Sequence, residues 1–162
     1  MVNPENVIMD EKKTTILKRT SGPGNANIRK SVKQGDVKPT VLVVDDDKKI
    51  IEAFKYLMES ENLNMISASN VDEVMERIEG KDLDLIITDF MLETKSSIEL
   101  FTLIRKSHPE VPVVVMTGYP ELISEKDVKN FGGNYLLTKP LELTKLRGVI
   151  RTCCNPLKIA SY

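Results

Sequence analysis

Cysteine is scarce: the chain has two, Cys153 and Cys154, adjacent to each other near the C-terminus. Neighbouring cysteines suit neither a multi-bridge scaffold nor a CxxC metal or redox pair, so two reduced thiols are expected. Long apolar runs are missing too. Stretches such as Val113-Val114-Val115-Met116 fall far short of the roughly 20 residues that cross a bilayer, which excludes a transmembrane helix. The opening Met1-Val2-Asn3-Pro4-Glu5 leads into no apolar core of a secretory signal, so a cytoplasmic location without a membrane partner is the default expectation. Neither sign of charge dominates, since 23 Lys and Arg face 24 Asp and Glu. A general affinity for polyanions is therefore not expected. With 162 residues there is room for one ordinary domain and hardly for two, so a large fused output module is not expected either. What is present, 41% hydrophobic and 29% charged residues, is the balance of a soluble folded domain.

The charge is unevenly placed. Residues 1–38 hold eight bases and four acids, whereas 39–162 hold 15 bases and 20 acids. The first segment is poor in apolar residues and carries the turn-formers Ser21-Gly22-Pro23-Gly24-Asn25, so it reads as a mostly disordered basic extension with one short helix near 14–19. Gly22 and Gly24 follow no strand and form a flexible spacer. From Pro39 onward, short β-rich runs at 41–44, 64–68, 83–88, 111–116 and 135–138 alternate with helical periodicity over 48–60, 71–79, 97–107, 121–130 and 141–154. Stripes such as Ile51, Phe54, Leu57 and Met58, or Val71, Val74, Met75 and Ile78, mark the buried helix faces, and the methionines at helical spacing are read as core. Five β units alternating with five α units predict a parallel sheet covered on both faces, whose functional crevice lies beyond the carboxyl ends of the strands.

Four strands are followed by polar residues of distinctive kinds: Asp45-Asp46-Asp47, Asp89, Thr117, and Lys139 with Pro140. Successive intervals of 44, 28 and 22 residues suit one or two βα units, which return the chain to the same edge each time. Carboxylates, a hydroxyl and an ammonium should therefore converge. Any one acid at a strand end is equally well explained as a helix N-cap, and Asp47 is read as a capping or solvated acid. Crowded carboxylates repel one another unless a cation neutralises them. An all-oxygen site without His or Cys favours a hard ion, and Mg²⁺ suits few carboxylates and several waters. A phosphoryl group is the natural guest, with Lys139 offsetting its charge, Thr117 donating a hydrogen bond, and Asp89 attacking to form an aspartyl phosphate.

As a set, Val-Leu-Val-Val-Asp45-Asp46, Ile-Ile-Thr-Asp89, Val-Met-Thr117-Gly118 and Leu-Thr-Lys139-Pro140 resemble the receiver domain of bacterial two-component response regulators, over about residues 39–154. The resemblance implies the flavodoxin-like, CheY-like (βα)5 fold, a doubly wound parallel sheet with strand order 2-1-3-4-5, followed by a tail at 155–162. It implies Asp89 as phospho-acceptor and a metal site formed by Asp45, Asp46, Asp89 and the main-chain carbonyl of Met91. It also implies a commonly cis Lys139–Pro140 peptide. The implied partner is a sensor histidine kinase or phosphotransfer protein, and the receiver catalyses only its own phosphorylation and dephosphorylation. Few residues follow the fifth helix, so the expected protein is a stand-alone receiver that signals through a downstream protein or self-association, with no direct DNA binding. His108, before Pro109, is read as a surface loop residue rather than a phosphodonor.

Several positions depart from the family pattern. Glu93 and Ser97 stand where Pro and Gly are frequent, which implies a different path for the loop after Asp89. Leu136 occupies the aromatic switch position and Tyr135 lies one place early, on the other side of the strand, so the usual coupling of Thr117 to an aromatic ring lacks its partner. Met91 and Tyr119 flank the acceptor with bulk, which implies slow attack of water on the phosphoryl group. Two alternatives follow: a receiver-like binding module that is never phosphorylated, and a haloacid-dehalogenase-type phosphatase, whose Asp-x-Asp opening Asp45 and Asp47 resemble although Lys49 replaces the expected Thr.

Overall fold

A computed structural model describes residues 38–92 and 97–154. Its elements run β1 (Thr40–Val44), α1 (Lys48–Ser60), β2 (Asn64–Ala68), α2 (Val71–Ile78), β3 (Leu85–Asp89), α3 (Ser97–Ser107), β4 (Val113–Thr117), α4 (Glu125–Asn130), β5 (Tyr135–Thr138) and α5 (Leu143–Cys154). The strands form one parallel sheet in the order β2-β1-β3-β4-β5. This is the flavodoxin-like arrangement expected from the residues and their resemblance. The basic extension, its short helix, the 155–162 tail and Glu93 lie outside the described residues.

Alternation along the strands divides the apolar residues into two cores. Leu42, Val44, Ile86, Val113 and Val115 face α2, α3 and α4 through Val74, Ile78, Leu100, Phe101, Ile104 and Val128. Val41, Val43, Leu85, Ile87, Val114 and Met116 face α1 and α5 through Phe54, Leu57, Met58, Leu146 and Ile150. Because both faces are covered, every residue of β3 and β4 is buried, and their continuous apolar runs need no polar alternation.

Strands β2 and β5 take the expected bounds, whereas ends of β1, β3 and β4 move by one or two residues. Asp84 holds Thr40 by exchanging main-chain and side-chain hydrogen bonds, so β3 pairing starts only at Leu85. At the other end Asp89 pairs with Met116, which carries β3 through the acid itself. Helix α4 is shorter than the 121–130 expected. Ser124 and Asp127 form a reciprocal capping box that fixes its start, and a capped N-terminus stops the helix extending backward. Helices α2 and α5 are likewise trimmed at one end, and Gly80, with φ +66°, follows α2 in the left-handed region that favours glycine.

Met75 departs from the core placement expected of the helical methionines. Met58 is buried, but Met75 is 37% exposed. Val71, Val74 and Ile78 already fill the contact between α2 and the sheet, and Met75 falls on the flank of that stripe. Tyr135 and Leu136 lie on opposite sides of β5 as the period of two requires, with Leu136 half-buried against the core beneath α3 and α4.

Candidate functional site

Parallel strands end together at one edge, so β1, β3, β4 and β5 deliver their last residues to a common crevice. Asp45 follows β1 and is 1% exposed; Asp89 ends β3 at 8% exposed; Thr117 ends β4 and is fully buried. Lys139 follows β5, with its main-chain N–H donating to the Thr117 carbonyl at 2.7 Å and a cis peptide joining it to Pro140. Its ammonium reaches both buried acids, donating to Asp45 Oδ2 at 2.8 Å and to Asp89 Oδ2 at 2.5 Å. Asp46 completes the group: one oxygen from each of Asp45, Asp46 and Asp89 lies within 4.8 Å of the others.

The second oxygens of Asp45 and Asp89 are each held by a main-chain amide. The Asp47 N–H donates to Asp45 Oδ1 at 2.9 Å, and the Met91 N–H to Asp89 Oδ1 at 3.1 Å. Burial pushes the Asp45 carboxyl above its ordinary range against the opposing pull of Lys139 and the Asp47 amide. For Lys139, burial disfavours the charge, but the hydrogen bonds to Asp45 and Asp89 outweigh it and raise the ammonium above its ordinary value. The ammonium is therefore fully charged at neutral pH and touches two of the three carboxylates. A further cation beside Asp46 would complete the neutralisation, and an oxygen donor set without His or Cys fits Mg²⁺.

Of the other residues singled out by the sequence, Asp47 caps α1, its carboxylate accepting from the Lys49 N–H at 2.8 Å. That employment separates it from Asp45, so the pair that resembles a phosphatase opening serves two different ends. Thr117 Oγ1 accepts from the Tyr119 N–H at 3.0 Å. Met91 and Tyr119 are half-exposed, on the loops that follow β3 and β4. Leu136 packs, half-buried, against the core. Cys153 and Cys154 are free thiols, and burial together with the neighbouring Cys153 and Asp84 pushes Cys154 up to about 12.

Away from this edge, a groove of about 860 Å³ opens at the opposite ends of β3 and β4, bordered by Met75, Glu79, Lys81, Leu83, His108 and Val111. His108 is half-buried there, with its ring nitrogens against Ser107 Oγ and the Lys81 carbonyl. Two arrangements carried no sequence signal. Glu61, just past α1, pairs with Arg147 and Arg151 of α5, and Arg105 gathers carbonyls from two loops.

A family model described as the response regulator receiver domain matches residues 41–151. Response regulator protein PilR of Pseudomonas aeruginosa is 33% identical over 111 residues, which are 68% of this chain and 25% of PilR. The heme response regulator HssR of Staphylococcus saprophyticus is 29% identical over 107 residues, 66% of this chain and 47% of HssR. Among solved structures, a response regulator receiver domain protein from Clostridium thermocellum superposes with a TM-score of 0.68 at 26% identity, covering 75% of this chain and 98% of that one. The chain spans about a quarter to a half of the length of the curated relatives it matches.

Proposed function

Because the chain belongs to the response regulator receiver family of two-component systems, in which phosphorylation of an aspartate is characteristic, we propose that Asp89 is its phospho-acceptor. The observation that carries this reading is the Lys139 ammonium lying against both Asp89 and Asp45, with Asp46 alongside. Asp45, Asp46, Asp89 and the Met91 carbonyl would hold Mg²⁺, which when bound offsets the charge of the carboxylates and of an incoming phosphoryl group.

The donor is a phosphohistidine of a sensor histidine kinase or a phosphotransfer protein. An Asp89 oxygen attacks phosphorus, the P–N bond breaks, and the imidazole leaves with the electron pair and takes a proton from solvent. Lys139 stays charged throughout and balances the phosphoryl oxygens. Thr117 donates its hydroxyl to one of them once it turns from its own loop. Water later cleaves the acyl phosphate, so the cycle has no external substrate beyond the donor. The readout is a change in protein–protein binding, to a downstream protein or a second copy.

Intact-mass measurement after incubation with Mg²⁺ and acetyl phosphate tests this. A gain of about 80 Da, one phosphoryl group on the nucleophile, that is absent in Asp89→Ala is the expected result. No gain in the wild type, with Mg²⁺ binding intact, favours the second reading, a constitutive binding module. Leu136 supports that alternative, since a half-buried aliphatic side chain replaces the aromatic partner of Thr117.

A further inference from the structure

Helix α4 has six residues and one buried side chain, Val128. So short a helix is not stable by itself, and its position depends on what holds its two ends. The first end is closed locally by the Ser124–Asp127 box. The second runs into the turn Phe131-Gly132-Gly133-Asn134, which is gripped from α3. Arg105 Nε and Nη2 donate to the Gly132 carbonyl at 3.0 and 2.5 Å. Nη1 of the same residue donates to the carbonyls of Val111 at 2.6 Å, His108 at 3.2 Å and Pro109 at 3.3 Å.

One guanidinium thus ties the end of α3, the approach to β4 and the turn before β5. Close packing reinforces the tie. Gly132 has φ +88°, and a Cβ there would come within 3.1 Å of Arg105 Nε. The rings of Phe101 and Phe131 lie 6.4 Å apart, and Asn134 Oδ1 accepts from the Val113 N–H at 2.8 Å. These contacts sit at the amino ends of β4 and β5, whereas Thr117 and Lys139 sit at the carboxyl ends. The stretch between Thr117 and Ser124, which carries the exposed Tyr119 and Leu122, has no comparable clamp among the described residues.

We propose that Arg105 is a latch that fixes α4 and the turn after it, so that loading of the acceptor site moves the 117–122 loop and leaves α4 in place. The half of this statement that concerns loading rests on Asp89 being the acceptor. Leu136 is consistent with it, because an aliphatic side chain packed into the core beneath α4 supplies no large ring to swing as the crevice fills.

Hydrogen-exchange mass spectrometry of the full chain, with and without Mg²⁺ plus beryllofluoride as a phosphoryl mimic, tests both halves. In the wild type, loading should slow exchange over 117–122 and leave 125–134 unchanged. Arg105→Gln removes charged hydrogen bonds and should quicken exchange over 125–134 about tenfold or more without any loading. Loading should then alter that segment as well. Arg105→Lys keeps the charge but not the fork, and should fall between the two; it also serves if Arg105→Gln fails to fold. The latch is overturned if unloaded Arg105→Gln, or Arg105→Lys in its place, exchanges over 125–134 like the wild type. The uncoupling is overturned if wild-type loading changes 125–134 as much as 117–122. A wild type that responds nowhere, 117–122 included, counts against the acceptor reading and removes the uncoupling with it, while the unloaded comparison still decides the latch.

Discussion

Lys139 Nζ donates to Asp89 Oδ2 at 2.5 Å across 50 residues of sequence, and the same ammonium reaches Asp45. The contact depends on two register facts: Asp89 is the last residue of β3, and the Lys139 main chain is bonded to the end of β4. An ammonium already in place at the acceptor needs no reorganisation when negative charge arrives. Lys139→Ala should therefore slow phosphoryl transfer from acetyl phosphate by about 100-fold, as for other lost charge-stabilising donors, while leaving Asp89 present as nucleophile. Time-resolved intact mass would show this, and an unchanged rate would remove Lys139 from the mechanism.

Asp46 and Asp47 are neighbours with separable roles. Asp47→Ala removes the α1 cap and should cost about 0.5–2 kcal/mol of stability in urea titration, with Mg²⁺ affinity retained. Asp46→Ala should weaken Mg²⁺ binding in calorimetry and leave stability within about 0.5 kcal/mol. An exchange of these two phenotypes would reassign the pair.

Two glycines make a steric contrast. A Cβ on Gly133 would lie 2.5 Å from Val128 Cγ1 and 3.1 Å from the Val128 carbonyl oxygen, whereas one on Gly118 meets nothing within 4 Å. Gly133→Ala should destabilise the fold by about 1–3 kcal/mol. Gly118→Ala should change stability by less than about 0.5 kcal/mol. Thermal unfolding of the two variants checks the difference.

The Glu61 pairing predicts a pH signature. The hydrogen bond from Arg151 holds the Glu61 carboxyl below its ordinary range. A lowered carboxylate contributes stability above the unfolded value, 4.5, and loses it as pH falls through the folded one. Glu61→Gln should cost about 0.5–1 kcal/mol at pH 7, and the gap to the wild type should close as pH drops below that range. A gap that persists at low pH would point to packing instead of charge.

Met91 and Tyr119 stand half-exposed on the two loops beside the acceptor. Their bulk should limit the approach of water to an aspartyl phosphate, making the wild type slow to hydrolyse. Met91→Ala and Tyr119→Ala, singly and together, should speed loss of the phosphoryl mass several-fold. Equal decay in all four proteins would free these side chains of that role.

Asp45, Asp46, Asp89, Thr117 and Lys139 were legible because a parallel strand needs a continuous apolar run, and the polar residue that ends each run falls at one shared edge. Asp47 was legible as a cap from its place just ahead of a periodic segment. The same local periodicity sets the fold class and the face on which each core residue lies, Met75 excepted, whose exposure depends on how much of α2 the sheet can cover. Strand ends were decided by pairing partners, as when Asp84 binds Thr40 and delays β3. The contacts of Arg105 and Glu61 were decided by tertiary structure alone. Arg105 seeks main-chain carbonyls, which every residue has, and Glu61 meets arginines 86 and 90 positions away, so neither leaves a mark in local sequence. Hydrophobic period and strand-end chemistry are local properties that the sequence by itself determines; hydrogen bonds to the backbone and long-range ion pairs exist only once the helices have docked.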